Sequence, residues 1–455
     1  MGSDINQLPL PPSPPAHWLW GHAKMMFNDP LQFSADCASD YFPICRLRFV
    51  YRSIFITADI DCARQIFLTE TDNFWKGKNY KILSLIAGNG LITSEGNFWK
   101  RQRRLAQPGF HKEKLRGFVQ TFIDSSYELA EKWEQYNPDE YRSISAEMSE
   151  LTLRIIGKTL FSQDLFDESS SVPPDVKQVL RFLNKRNYAF PRYPISWPLP
   201  SHRAYAEQKK RLDDVVFKII DERIQGVTRG DDLLQLFLEA KDAETGEKMN
   251  RTDIRDEIMT MFLAGFETSS VALTWTLYLI SQHPDVRERF LSELHHIIGE
   301  DKVRPEHIMQ LSYTRQIIEE AMRLFPPVFT IPRQLIHAMD MKGYRLPKGS
   351  LVLTSIYAIH RSPRYWQEPE KFDPDRFSPE NIDKIEKGAY IPFGLGQRMC
   401  IGNQFALLEM ISALAVLGRK YELLPKEGYV PEMIPAITTN VSEGMPMYIR
   451  KIQSL

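Results

Sequence analysis

Cysteine is scarce in this 455-residue chain: Cys37, Cys45, Cys62 and Cys400, with no regular spacing. That scarcity excludes a disulfide framework and points to a reducing compartment, so a cytoplasmic location is expected. Long apolar runs are missing too. No stretch approaches the roughly 20 apolar residues of a membrane helix. The opening MGSDINQLPLPPSPPAHWLWGH has neither the basic region nor the apolar core of a secretion signal. Asn6 stands where a myristoylation signal wants Ser or Thr. Net charge is −1, so no global field draws the chain to nucleic acid or to an anionic membrane. Repeats at solenoid periods are absent. With 43% hydrophobic and 25% charged residues, what remains is an ordinary globular protein, expected as a monomer.

What is present is mostly helical patterning. Residues 121–135, 206–225, 253–283 and 313–325 carry apolar side chains at three- and four-residue intervals. The third run is far longer than the globular mean of about 12 residues. From Ile44 to Thr57 apolar and polar residues alternate around Tyr51-Arg52, as in a small hairpin. Short strands follow Pro326, at GYRLP (343–347) and SLVLTSIYAIH (350–360). Loops are expected at 167–175, 189–200 and 242–250. The reading is mainly α with small β-sheets: one domain over 1–455, opening with a proline-rich strap at 1–20.

The late cysteine has unusual company. Residues 393–402 read FGLGQRMCIG. A thiolate is a strong, soft ligand for iron and needs a positive environment to stay deprotonated. The run NQFALLEMISALAVLGRKY opens a helix just after it, whose N-terminal amides favour negative charge. Gly394, Gly396 and Gly402 permit tight turns and close approach to a flat ligand. Phe393 can shield the sulfur, and Arg398 can pair with a ligand carboxylate. The bland alternative is an inert cysteine packed in a glycine-rich turn. Zinc is disfavoured, because no second Cys or His stands at ligand spacing.

Phe393-x-x-Gly396-x-Arg398-x-Cys400-x-Gly402 resembles the haem-thiolate loop of the cytochrome P-450 family. Further segments match that family in order. They are Trp99-x-x-x-Arg103, Ala264-Gly-Phe-Glu-Thr268, Glu320-Ala-Met-Arg323 with Arg333 ten positions on, and Pro374-Asp-Arg376-Phe. The resemblance implies the family's triangular, mostly helical prism and haem b on an axial Cys400 thiolate. It implies haem contacts from Leu91, Trp99, Arg103, Ala264, Gly265, Thr268, Arg333, Pro392, Phe393, Arg398, Ile401, Gly402 and Ala406. Glu320, Arg323 and Arg376 would form a buried charge network holding the cysteine loop. Thr268 and Glu267 would supply the protons that O–O cleavage requires. Two positions depart from relatives. Phe266 replaces a residue that is often polar, and Ala264 replaces a glutamate that ties some fatty-acid ω-hydroxylases to haem.

The activity implied is a monooxygenase that inserts one atom of O2 into a C–H bond. Electrons would come from a ferredoxin or flavodoxin-type donor with its reductase, docked on a basic patch of Lys100, Arg101 and Arg104. Substrate contacts would come from Ile92, Met261, Val328, Phe329, Thr330, Ile437 and Thr438, which suit a lipophilic molecule: a fatty acid, a terpenoid or a steroid-like compound. Tyr51 and Arg52 are candidates to hold a carboxylate at the channel mouth. The rival readings are a peroxide-dependent hydroxylase or isomerase on the same fold, and a non-catalytic haem-thiolate sensor.

Overall fold

The computed structural model describes residues 8–49, 52–164, 172–188 and 193–452. Its contacts group into two compact units, each built from segments distant in sequence. The first comprises Met1–Asn79, Gln316–Cys400 and Met433–Asn440; the second comprises Tyr80–Arg315, Ile401–Glu432 and Val441–Leu455.

The first unit is organised by a five-stranded sheet of β1 (Ile44–Phe49), β2 (Arg52–Thr57), β3 (Phe74–Trp75), β4 (Thr330–Leu335) and β5 (Leu351–Ser355). Its order is β1-β2-β5-β4-β3. β1 and β2 pair antiparallel with Ile44 opposite Thr57, as the alternating pattern predicts, and β2 pairs parallel with β5. Leu47, Phe55, Ile56, Val352 and Ile359 pack in the core below. Tyr51 lies outside the described residues, and Arg52 opens β2. The strand expected over 350–360 is cut short at Ser355. Its hydroxyl accepts the Ala358 N–H at 3.2 Å and caps the helix Ile356–Arg361. An N-cap of this kind overrides the β-branched run that suggested a strand.

In the second unit the long pattern becomes one helix, Arg251–Gln282, of 32 residues. It starts at a capping box between Asn250 and Asp253 and stops one residue before Pro284, which cannot continue it. The helix Ile144–Phe161 packs along it. A Cβ on Gly265 would lie 2.9 Å from Ile156 Cδ1, so the two helices pack closely at this point. The Phe266 carbonyl accepts the Thr152 hydroxyl at 2.9 Å. Twelve of the 18 residues in Ile144–Phe161 are buried, which erases the one-sided stripe that betrays a helix in sequence. The helix Val172–Tyr188 begins inside the segment expected as a loop, with prolines in its first turn where no N–H is needed. Behind the cysteine loop in sequence, the helix Asn403–Lys420 packs Phe405 edge-on to Phe122 of Lys112–Trp133, ring centroids 4.8 Å apart. Among the described residues, no helix is long and apolar enough to cross a membrane.

Candidate active site

In the first unit the four thiols separate cleanly. Cys37, Cys45 and Cys62 are buried, whereas Cys400 is exposed. A hydrogen bond from Cys37, together with burial, pushes the Cys45 thiol up. Burial and the Asp59 charge do the same to Cys62. Neither environment favours a thiolate, so both are packing residues. Cys400 is instead presented on a built loop. Its N–H donates to Phe393 O at 2.9 Å, Gly394 N–H donates to Ile391 O at 3.0 Å, and Met399 N–H donates to Gly396 O at 3.0 Å. Gly396 has φ 72°, and a Cβ there would fall 2.1 Å from Phe67 O. No side chain fits that position. Pro392, Phe393 and Arg398 are half-buried around this turn.

Behind the loop lies the expected charge network. Arg323 and Glu320 are fully buried. Arg323 Nε and Nη2 donate to the two Glu320 oxygens at 2.7 and 2.8 Å. Its other N–H groups reach the carbonyls of His360, Pro369 and Lys371. Arg376 Nε stands 3.3 Å from Glu320 Oε1, and Asp373 N–H donates to the same oxygen. Burial pushes the Glu320 carboxyl up, and the Arg323 bonds work against it. Five satisfied N–H groups make Arg323 the node joining its helix to the segment before the cysteine loop.

His360 is a member of this node that sequence reasoning missed, since a lone histidine in an apolar run carries no signature. Its Nε2 accepts the Ile391 N–H at 2.9 Å, which leaves the proton on Nδ1 to donate to Arg323 O at 3.2 Å. Ile391 immediately precedes Pro392, so His360 ties the arginine to the root of the loop. Burial first, then the Arg323 charge, push its pKa down to about 3. The unfolded chain therefore takes a proton near its ordinary pKa of about 6.5 that the folded chain refuses. Stability should fall by about 1.4 kcal/mol per pH unit as pH drops below that value. Unfolding followed from pH 7 to pH 5 should show a slope for His360→Gln that is shallower than wild type by one proton. Coincident slopes would contradict a neutral His360.

Arg333, on β4, is 7% exposed, and among the described residues no carboxylate pairs with it. Nη1 donates to Pro332 O, and the guanidinium stacks 5.1 Å from the Phe67 ring. Phe67 thus touches Arg333 with its ring and the cysteine loop with its carbonyl, another link invisible in sequence. Val328, Phe329 and Thr330 lead into the same strand. Thr439 N–H and Oγ1 donate to Pro327 O and Pro326 O, which brings Ile437 and Thr438 beside them.

The second unit holds the remaining candidates. Trp99 is buried and Arg103 half-buried, one turn apart on the helix Gly96–Ala106. In the long helix most residues are buried, yet Ala264 is exposed and Gly265, Glu267 and Thr268 are half-buried. Met261, one turn earlier, is buried. Thr268 Oγ1 donates to Ala264 O at 2.7 Å, which holds the hydroxyl oxygen at a fixed point along the helix. Leu91 is buried and Ile92 half-buried in the segment before Trp99. Ile401, Gly402 and Ala406 are half-buried about the start of Asn403–Lys420, and Gly402 is its N-cap.

The basic patch does not survive as drawn. Arg101 pairs with Glu247 and Asp253, and Arg104 pairs with Asp242 and Glu244 at 2.9 Å each. Their charge is compensated by the 242–250 turn and by Asp253 at the start of the long helix, which leaves Lys100 as the exposed cation of the three.

These residues fit a haem. The thiol is presented rather than packed, and Arg333 is a buried cation suited to a carboxylate such as a propionate. The comparisons agree. The family model described as Cytochrome P450 matches residues 11–444. Cyclooctatin synthase from Streptomyces melanosporofaciens is 32% identical over 416 residues, covering 90% of this chain and 89% of that one. Cyclooctat-9-en-7-ol 5-monooxygenase from the same organism is 30% identical, covering 90% of this chain and 88% of that one. The crystal structure of the cytochrome P450DA haem domain superposes with a TM-score of 0.91 at 27% identity, over 98% of both chains.

Proposed function

Because this chain belongs to the cytochrome P450 family and is a monooxygenase of it, we propose that it inserts one atom of O2 into a C–H bond of a lipophilic substrate. That substrate is a fatty acid, a terpenoid or a steroid-like molecule. The relative named for monooxygenation of cyclooctat-9-en-7-ol supports a lipophilic class, as do the apolar side chains of Ile92, Met261, Val328, Phe329 and Ile437. The cofactor is haem b, free of a covalent tether because Ala264 offers no carboxylate; when bound, it supplies the redox centre at which O2 is activated.

The chain supplies everything else. Cys400 would bind the iron through its thiolate. Arg333, Arg398, Arg103 and the Trp99 indole would meet the propionates, and Leu91, Ala264, Gly265, Pro392, Phe393, Ile401, Gly402 and Ala406 would supply the remaining haem contacts. Glu320, Arg323 and Arg376 keep the loop in place without touching substrate. Residues 1–455 work as a single domain, a monomer, reduced by a ferredoxin or flavodoxin-type donor and its reductase. Type I spin-state titration across fatty acids, terpenoids and steroids identifies the substrate class.

The observation that carries this reading is the Thr268–Ala264 bond on the exposed stretch of an otherwise buried helix. It fixes the hydroxyl that, on this reading, passes a proton on, with Glu267 bringing that proton from solvent. Thr268→Ala should lower product formed per O2 consumed by about 10²-fold, with the oxygen released as hydrogen peroxide. Fully coupled turnover in Thr268→Ala would contradict the proton-relay role, whereas product formed with peroxide but not with O2 and reductant would favour the peroxide-dependent rival.

A further inference from the structure

Resting on the proposed function, in which Ile92 meets substrate and its neighbour Leu91 meets haem, we propose that Asp256 and Glu257 are the positioning residues that set the pocket wall formed by this pair. The segment from Gly88 to Ser94 is held on the long helix by side-chain carboxylates. Asp256 Oδ2 accepts the Asn89 N–H at 2.7 Å, and Glu257 Oε2 accepts the Leu91 N–H at 3.0 Å. The Thr93 hydroxyl closes the segment on itself by donating to Gly88 O at 2.8 Å.

The contact is too close for side chains on the segment. A Cβ on Gly88 would fall 2.2 Å from the Asp256 carboxylate, and Gly88 has φ 56°. A Cβ on Gly90 would fall 2.2 Å from Thr260 Oγ1 and 2.5 Å from Asp256 O. Glycine on one side and carboxylates on the other make a matched clasp. Glu257 is fully buried and Asp256 nearly so. Apolar side chains would pack a helix at lower desolvation cost; what buried carboxylates add is acceptors fixed in direction for chosen amides.

The clasp sits at a telling place. Glu257, Met261, Ala264 and Thr268 follow one another at four, three and four residues, so they share one helix face. Pinning Leu91 to Glu257 therefore sets it one turn before Met261 on the side that carries Thr268. Asp256 is braced in turn: Arg255 Nη1 donates to it at 2.8 Å, and Arg255 Nε donates to Asp213 of the helix Pro200–Ile224 at 3.0 Å. Tyr205 of that same helix donates to Leu85 O at 2.6 Å, just upstream of the pinned segment.

The test compares Asp256→Ala and Glu257→Ala with Asp256→Asn and Glu257→Gln, which keep an acceptor oxygen. Gly90→Ala lifts the segment from its own side and carries the test if the alanine variants do not fold. Amide hydrogen exchange across residues 88–92 should quicken at least about tenfold in the alanine and Gly90 variants, and stay within about threefold in the amide variants. The affinity of 4-phenylimidazole, whose ring must fit against the wall, should fall about tenfold, while that of bare imidazole changes less than about twofold. Unchanged exchange overturns the clasp. Faster exchange with unchanged 4-phenylimidazole affinity overturns the pocket-wall reading of Leu91 and Ile92. Equal weakening of both ligands assigns Asp256 and Glu257 a general structural role instead.

Discussion

Arg323→Ala should yield almost no cofactor-loaded protein. The substitution strands the Glu320 carboxylate in a fully buried site and removes five hydrogen bonds at once. Breaking one partner of a buried pair costs about 3–5 kcal/mol, against a total folding stability of about 5–15 kcal/mol. Lysine should not rescue it. Its ammonium has three donors on a flexible stem, and it cannot span both Glu320 oxygens and three separate carbonyls. The loss should fall on the cysteine loop first, because Arg323 and His360 together anchor Ile391. Thermal unfolding and the haem-to-protein ratio of Arg323→Ala and Arg323→Lys measure this. Variants that retain wild-type melting and full haem content would contradict the account of the node.

Cys400→Ala should behave in the opposite way. The Cys400 side chain is exposed, and the hydrogen bonds that shape the loop are made by backbone groups and glycines. Folding stability of the haem-free protein should therefore change by less than about 0.5 kcal/mol. Monooxygenase turnover and the thiolate absorption signature should vanish together. Cys37→Ala, Cys45→Ala and Cys62→Ala provide the contrast: each empties part of the first unit's core and should destabilise by about 1 kcal/mol, with the absorption spectrum intact. If Cys400→Ala kept the signature, or a core cysteine variant lost it, the ligand would lie elsewhere.

What could be read in the sequence was what local chemistry encodes. The cysteine loop declares itself because thiolate, glycines and arginine occupy adjacent positions, and the long helix because its period persists through about nine turns. Glu320, Arg323 and Arg376 were legible only through their order along the chain, and the structure brings all three within one network. Other features arise from pairing across distance. His360 acquires its role from Ile391 and Arg323, each more than 30 positions away. Phe67 joins Arg333 to Gly396 from yet another segment. The Asp256–Glu257 clasp pairs carboxylates of the long helix with amides more than 160 positions upstream. Arg101 and Arg104 looked like a free basic patch because their acidic partners lie about 140–150 positions downstream, in the expected 242–250 loop and the first turn of the long helix, and nothing local in the sequence links the two segments. The strand reading at 350–360 failed at one hydroxyl, where the Ser355 cap competes with strand propensity and wins.

The account depends on sulfur from Cys400 bound to haem iron. The carbon monoxide difference spectrum of the reduced, purified protein tests that bond most directly. A Soret maximum shifted to the long wavelength of a carbonyl complex opposite a thiolate is the predicted result. The shorter-wavelength maximum of an imidazole or protonated-thiol complex, or no Soret band after haem supplementation, would contradict it.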